Sequence, residues 1–427
     1  MSWSDLLNDN ATQVIGAILG IVFISCILLE YLMSWWLKKN YVRSEYLIIN
    51  VSVAFLQQLT DFVNKGVFIL AFVYVQKNWS VLQWLELTEI KAVNPFSPFS
   101  PLMIFNYFMV LVIADFCQYW LHRFSHEINI LWAGHVTHHS NEEYNLGVAV
   151  RQNALEGIYT WVFFLPLAFL GIPWQMFVTA YAVSLLWQFL VHTQWIKKLG
   201  WLEHVMSTPS HHRVHHGRNA QYIDKNYGAF FIVWDKLFGT FEPEVEAVDY
   251  GITAPLQSQN PLWSNIHHHI DIARRVWHAQ TLREKAKWLF GLPSKIYTNE
   301  NVNAAQETSF TLLPLKKLYV FLNTVFVAVG AFYVLNYCVE RSIWIGFIGM
   351  GAFVVVCFSI FTGLLEQKKW ADYAEVMRLL LIGTLGGGLV ASTEVLGIAL
   401  VLSAIFMMCL TVFVASEYTK ETKNVTF

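Results

Sequence analysis

Charge is what this chain lacks most. Only 14% of its 427 residues are Asp, Glu, Lys or Arg, where a soluble globular protein carries roughly 25%. That shortfall excludes an ordinary solvated surface over most of the length. Neither sign dominates, since 28 Lys and Arg face 30 Asp and Glu for a net charge of -2. No basic stripe runs along any segment, so nucleic acid is not an expected partner. Cysteine is sparse as well. Cys26, Cys117, Cys338, Cys357 and Cys409 lie far apart in or beside apolar stretches, with no Cys-x-x-Cys, which excludes a disulfide framework and a thiolate metal site. No Gly-x-Gly-x-x-Gly follows a strand and no haem or iron–sulfur motif is present, so any reductant must come from outside. The glycine-rich "GTLGGGLVAS" at 383–392 lacks the Lys-Ser/Thr ending of a phosphate loop and lies in an apolar block; small residues there read as close helix packing. The first ten residues carry no positive charge and lead to no cleavage site, so the apolar block after them reads as a retained span and not a signal peptide.

What is present is long apolar runs. Hydrophobic residues make up 56% of the chain, gathered into blocks near the roughly 20 residues that a helix needs to cross a bilayer. These blocks cover 13–36, 47–76 (interrupted by Asp61 and Lys65), 102–121, 157–170, 174–191, 315–338, 342–365, 376–392 and 394–415. The pair 157–170 and 174–191, divided by "GIPW", is short: two tilted spans, or a hairpin that enters and returns. A polar middle, 197–313, holds much of the remaining charge. The expected architecture is an all-α polytopic membrane protein in two parts, a catalytic portion over 1–313 and a C-terminal bundle of about four spans over 314–427. Those last spans show no convergent titratable cluster along the sequence, and their role is open. The positive residues of "LKKNYVR", Lys197 and Lys198, "EQKK" at 366–369, and Lys420 and Lys423 all fall on one side if the N-terminus is outside, and the positive-inside rule makes that side the cytosol. Arg341 alone falls outside.

Against this apolar background the histidines stand out. His122 and His126 are four apart, sharing one face of a helix. His135, His138 and His139 are spaced i, i+3, i+4, and His212, His215 and His216 repeat that pattern with His211 beside them. His192 ends the returning apolar stretch. Imidazole is a good ligand for Fe, Zn and Cu, and so many exceed the needs of one ion, so two ions are the economical reading. His204, His278 and the run His267–His269 lack paired spacing within a charged segment and read as structural. A metal transporter would place its ligands near the bilayer midplane on broken helices. Here the clusters lie just beyond span ends on one face, which favours an enzyme.

The strings "HRFSH", "HVTHH" and "HHRVHH" resemble the His-x-x-x-His, His-x-x-His-His, His-x-x-His-His boxes of the fatty acid hydroxylase/sterol desaturase superfamily. "HEINILWAGHVTHHSNEEYNLGVAVRQ", "HTQWIKKLGWLEHVMSTPSHHRVHHGRNAQYIDKNYG" and "WDKLFGTFEPE" are similar to its alkylglycerol monooxygenase branch. The resemblance implies a diiron site at the cytosolic membrane face, with His122, His126, His135, His138, His139, His192, His212, His215 and His216 as metal ligands. Fatty acid hydroxylases have a further histidine four residues before the His192 position, where this chain has Gln188. His211 is a ligand, an outer-shell group or a catalytic residue on the same grounds. The implied reaction takes dioxygen and an alkylglycerol in the membrane, hydroxylates the alkyl carbon beside the ether oxygen, and yields fatty aldehyde and a glycerol derivative. The alternative within the superfamily is a fatty acid or sterol hydroxylase or desaturase fed by a protein electron donor. The branch implies tetrahydrobiopterin as reductant. Glu127, directly after the first box, is the candidate contact, because a carboxylate accepts hydrogen bonds from a pterin's amino and ring N–H groups; its other reading is a partner of a ligand histidine. Asn145, Asn219, Asp224 and Tyr227 are further polar candidates near the boxes, and Trp120, Trp132, Trp161 and Trp187 either line an apolar channel or simply pack. A bacterial inner membrane or the endoplasmic reticulum is the expected setting; the oligomeric state is open.

Overall fold

A computed structural model describes residues 10–85, 100–256, 258–297 and 314–390. Among them the regular structure is helical, with only the isolated bridges Met206–Phe231 and Gly217–Tyr250 pairing as β-structure. The principal helices are α1 (Asn10–Trp36), α2 (Ser44–Trp79), α3 (Pro101–Glu127), α4 (Asn129–His139), α5 (Trp174–Leu190), α6 (Pro209–His215), α7 (Val233–Phe238), α8 (Pro261–His278), α9 (Leu282–Phe290), α10 (Pro314–Glu340), α11 (Trp344–Leu365) and α12 (Lys369–Val390). Among the described residues four stretches are long and apolar enough to cross a membrane: Val14–Trp36, Pro101–Glu127, Pro314–Glu340 and Trp344–Leu365. A fifth is added if Ser44–Asp61 and Val63–Trp84, bent by 43°, count as one span. The chain is an all-α membrane protein.

The short apolar pair resolves unequally. Block 174–191 becomes α5, whose 17 residues reach about 25 Å at 1.5 Å per residue, just under the hydrocarbon thickness. Block 157–170 forms one short apolar helix, Gly157–Phe169, which tightens at Trp161–Phe164. Pro166 sits at the start of the stretch that follows, Leu165–Phe169, where its missing N–H is tolerated. The block at 394–415 lies outside the described residues.

By contacts the chain divides into two compact units, Met1–Leu256 with Ser264–Ala305, and Gln257–Trp263 with Gln306–Phe427. The first is built around α3, which starts cleanly: Ser100 caps it by accepting from the Met103 N–H at 3.1 Å, and Pro101 follows in the first turn. Its apolar face, through Val110, Leu111, Ala114, Cys117 and Leu121, buries against Phe164, Leu167, Trp174, Met176 and Phe177. Phe177 of α5 stacks on Phe72 of α2 with ring centroids 5.8 Å apart, and Phe189 stacks on Phe23 of α1 at 4.1 Å. Aromatic pairs of this kind add to plain area burial.

One charge sits inside that apolar helix. Asp115 is 1% exposed and accepts from the Phe230 N–H at 2.8 Å, the Phe231 N–H at 3.0 Å and the Trp234 indole at 2.9 Å. It thereby clamps the segment leading into α7 onto α3. Asp235, fully buried, closes the same segment from within by accepting from Tyr227 and Gly228 N–H, both at 2.7 Å, and from the Thr240 hydroxyl at 2.6 Å. Gly228 is obligatory in this turn, because a Cβ there would lie 2.5 Å from the Phe231 carbonyl oxygen.

The second unit corrects the expectation that its spans lack converging titratable groups. Arg378 of α12 donates to Glu375 from Nε at 2.8 Å and Nη2 at 2.6 Å, and to Asn323 of α10 at 2.7 Å, while the Tyr319 hydroxyl donates to Glu375. All four residues are at most 5% exposed. Glu375 and Arg378 are neighbours on one helix face, but Tyr319 and Asn323 come from another helix far away in sequence, so no local pattern announces the group. Its polar atoms satisfy one another, as an apolar surround requires.

Replacing Asp115 with Ala should destabilise the first unit by about 3 kcal/mol or more, because the donors around it lose a charged acceptor. The thermal midpoint of the detergent-solubilised protein measures this, and an unchanged midpoint would mean that the clamp contributes nothing.

Candidate metal centre

Nine of the chain's histidines converge in two groups. His122, His126, His135, His139 and His215 form one; His138, His192, His212 and His216 form the other. Within each group, one ring nitrogen per residue lies within 4.8 Å of all the rest, and every member is buried. The helical spacing explains the division. Successive residues of a helix point about 100° apart, and i, i+4 pairs only about 40° apart. So His122 and His126 of α3 go together, as do His135 and His139 of α4, and His212 and His216 of α6 with its cap. The i+3 member of each later box diverges: His138 joins the group of His212 and His216, and His215 joins the group of His135 and His139. The second and third boxes thus each serve both groups, while the first serves one.

Ring orientation is fixed from outside. The His122 Nδ1 meets the Tyr227 carbonyl at 2.8 Å, His215 Nδ1 the Lys225 carbonyl at 3.0 Å, His138 Nδ1 the Arg151 carbonyl at 3.2 Å and His192 Nδ1 the Gln188 carbonyl at 2.6 Å. A carbonyl only accepts, so the Nδ1 of His122, His192 and His215 is the protonated nitrogen and their Nε2 turns a bare lone pair inward; His138 Nδ1 also meets the Gln152 amide nitrogen at 3.2 Å. This is the arrangement of metal-ligating imidazoles. His135 Nδ1 faces a carboxylate instead, Glu156 Oε1 at 3.2 Å.

The inward nitrogens are spaced for ligation. Nε2 atoms stand 3.2 Å apart in the pairs His122–His135, His135–His139 and His138–His192, and 3.0 Å apart in His192–His212. Two donors about 2.1 Å from one ion and at right angles to each other are about 3.0 Å apart. Nε2 of His126, His215 and His216 are buried with no hydrogen-bond partner among the described residues, a condition that costs free energy unless something else takes the lone pairs. Burial foremost, then the neighbouring imidazoles, holds His138, His139, His212 and His216 well below the ordinary value of 6.5. Burial likewise pulls His192 down to about 4 and His215 to about 3. These six rings are neutral at physiological pH and ready to donate. A neutral, all-nitrogen donor set of this kind suits first-row metals, iron among them.

The other candidates are distributed differently. His211 is buried but joins neither group. Its Nδ1 accepts from the Thr208 N–H at 3.4 Å at the start of α6 and its ring lies against Phe241. Gln188 reaches His192 through its main-chain carbonyl, while its side chain donates to Ser184. Glu127 accepts from Arg123 Nε at 2.9 Å and bonds no histidine. Asn145 caps a short turn by accepting from Gly147, Asn219 binds the 247–249 segment and Asp224 accepts from Ser294. Trp132 lies against His126 at 4.9 Å between centroids, and Trp187 is anchored by its N–H to the Ser207 carbonyl. Trp120 packs among Phe116, Tyr119, Phe124 and Phe238, and Trp161 bonds the Ile158 carbonyl. His268 binds Asn129, His267 the Ser264 carbonyl, and His204 and His278 are exposed.

Two supports carried no signal in the sequence. Glu156 follows the second box at a distance no motif marks. Arg151, fully buried, donates to the Thr137 carbonyl at 2.9 Å, Asn50 at 3.3 Å, Ser140 at 3.0 Å and Ser264 at 3.2 Å while its own carbonyl orients His138. Burial lowers its pKa to about 10, which still leaves it charged.

A helical membrane protein with paired histidine groups at the end of a span belongs to a recognisable class, and residues 107–240 match the family model for fatty acid hydroxylases. The chain is 33% identical over 369 residues to the alkylglycerol monooxygenase of Homo sapiens, covering 84% of this chain and 79% of that protein. It is 37% identical over 273 residues to that of Xenopus tropicalis (64% and 58%) and 40% over 244 residues to that of Danio rerio (57% and 51%). The chain therefore belongs to the alkylglycerol monooxygenase family of the fatty acid hydroxylase superfamily. No solved structure matches it.

Metal analysis of His138→Ala and His122→Ala should each show about half the wild-type metal content, since each removes a donor from one group and leaves the other complete. His211→Gln should keep the full content. Wild-type content in His138→Ala would remove that residue from the ligand set.

Proposed function

We propose that the chain is a membrane-bound diiron monooxygenase that hydroxylates the alkyl carbon next to the ether bond of alkylglycerol lipids, giving a fatty aldehyde and a glycerol derivative. The observation that carries this reading is the pair of buried imidazole groups, in a chain that aligns over most of its length with an alkylglycerol monooxygenase. His122, His126, His135, His139 and His215 would hold one iron, and His138, His192, His212 and His216 the other. Iron held there supplies dioxygen activation, one oxygen atom going to the substrate carbon and the other leaving as water with two external electrons.

The protein's own residues set the conditions. The Nδ1–H···O=C bonds keep the inward nitrogens unprotonated and fixed in direction. Burial excludes water, which protects a strong oxidant from side reactions. His122 and His126 occupy the last turns of α3, so an alkyl chain lying in the apolar layer beside that helix brings its ether end to the histidines. Once hydroxylated, the ether carbon is a hemiacetal and falls apart without further help. Glu127, half-exposed and next in sequence to His126, is the proposed contact for tetrahydrobiopterin as electron donor. The side bearing the histidines is proposed to be cytosolic, in a bacterial inner membrane or the endoplasmic reticulum.

Purified protein loaded with ferrous iron and given an alkylglycerol and tetrahydrobiopterin should release fatty aldehyde, and His215→Ala should abolish release. Turnover of a fatty acid or sterol with a protein electron donor, and none of the ether lipid, would replace this reading with the alternative in the superfamily. Tags at the two termini, probed by protease in sealed vesicles, should lie on opposite faces, the C-terminal one in the cytosol. Protection of both from the same side would overturn the orientation.

A further inference from the structure

Among the nine histidines, His135 alone turns its outer nitrogen to a carboxylate. Glu156 Oε1 lies 3.2 Å from its Nδ1, and no other ring of either group has an acidic partner at ion-pair distance among the described residues. His135 also stands close to two further donors: its Nε2 is 3.2 Å from the Nε2 of His122 and from that of His139. An ion held by these three would feel any change in how strongly the His135 ring donates.

The segment that carries Glu156 is tied to α4 on both sides of it. Before it, Asn153 donates to Thr137 Oγ1 at 2.8 Å, to the Asn265 carbonyl at 2.9 Å and to the Ala133 carbonyl at 3.3 Å, and its own Oδ1 accepts from the Leu155 N–H at 2.8 Å. After it, the Tyr159 hydroxyl donates to the Leu131 carbonyl at 2.9 Å. Gly134 of α4 leaves room for that phenol, since a Cβ there would lie 2.6 Å from the hydroxyl oxygen. Thr137, Ala133 and Leu131 all belong to the helix that bears His135, so carboxylate and ring are held in register by one scaffold. The Glu156 side chain is 17% exposed, and a charge shielded from water to this degree acts on its neighbours more strongly than a surface charge does.

The four-histidine group has the opposite surroundings. His138 and His192 turn their Nδ1 to the main-chain carbonyls of Arg151 and Gln188, which are neutral acceptors. The charge beside this group is positive: Arg151 is 0% exposed, and its Nε donates at 2.9 Å to the carbonyl of Thr137, the residue before His138. We infer that Glu156 is a positioning residue that makes the two ion positions electronically unequal, so that iron in the five-histidine group passes from Fe(II) to Fe(III) at the lower potential. The inference rests on the proposed two-iron reading and extends it. A ring N–H shared with a carboxylate pushes electron density onto the opposite nitrogen and makes it the stronger donor. A nearby negative charge also favours the ion of higher charge, and hydrogen bonding behind a ligand is a recognised lever on the potential of a bound iron.

The test is an anaerobic potentiometric titration of the full-length protein loaded with iron-57, one electron passing from each ferrous ion to a mediator dye, with the ferric fraction of each site read by Mössbauer spectroscopy and iron content measured on the same samples. The wild-type protein should hold two irons that oxidise at separate potentials. His122→Ala, which leaves the four-histidine group complete, should keep the higher-potential iron and so assign the signals. Glu156→Gln retains an oxygen that accepts from the His135 N–H but removes the charge. It should keep both irons, raise the lower potential alone, and weaken the hold on that one ion by about tenfold in chelator competition; Glu156→Asp should return the potential toward the wild-type value. A hydrogen bond of purely structural value would be restored by glutamine, so unchanged potentials in Glu156→Gln overturn the inference. Loss of an iron from Glu156→Gln at full loading also overturns it, by making Glu156 a mere prop for the ligand, as does a lower-potential iron surviving in His122→Ala. A wild-type protein that binds a single iron would sink the two-iron reading itself, and this inference with it.

Discussion

Everything at the centre of this protein depends on where a few protons sit. An imidazole can ligate a metal only through an unprotonated nitrogen, and nine buried imidazoles at close quarters cannot take up positive charge without repelling one another. The fold meets both conditions with one device, a main-chain carbonyl or a carboxylate placed against the outer nitrogen of the ring. Those carbonyls belong to Arg151, Gln188, Lys225 and Tyr227. Gln188 is in the last turn of α5 and the other three lie on loops, so the metal centre is only as well defined as those loops.

That dependence explains why the loops are held by buried charge. Asp115 reaches out of an apolar helix to fix residues 230–234, Asp235 closes the turn that carries the Tyr227 carbonyl, and Arg151 ties the end of α4 to α2 and α8. Each is expensive to bury alone and each is fully engaged. The apolar packing of α3 with α5 and α2 gives the centre its platform, and the polar clamps give it its aim.

The sequence made some of this legible and hid the rest for physical reasons. Apolar run length and helical histidine spacing are local properties, so the spans and the nine histidines could be named from the string. The allotment of His138 and His215 away from their box neighbours was not legible, because it depends on how α4 and α6 face each other across space. Glu156 and Arg151 were missed because a lone carboxylate and a lone arginine between motifs carry no period. The Tyr319–Glu375–Arg378 group in the second unit was missed because its members are distant in sequence and adjacent only after folding. Block 157–170 looked like a possible span because it is apolar throughout, but its helix, Gly157–Phe169, is shorter than the roughly 20 residues a crossing needs.

The crossed allotment of the histidine boxes has a consequence for how the chain tolerates insertions and deletions. A site made of separable halves could lose or retune one half while the other went on working. Here an inserted or deleted residue inside "HVTHH" or "HHRVHH" would rotate donors out of both groups at once. The two histidine groups are therefore tied to each other through the spacing of those two strings, and a change of register in either one disturbs both.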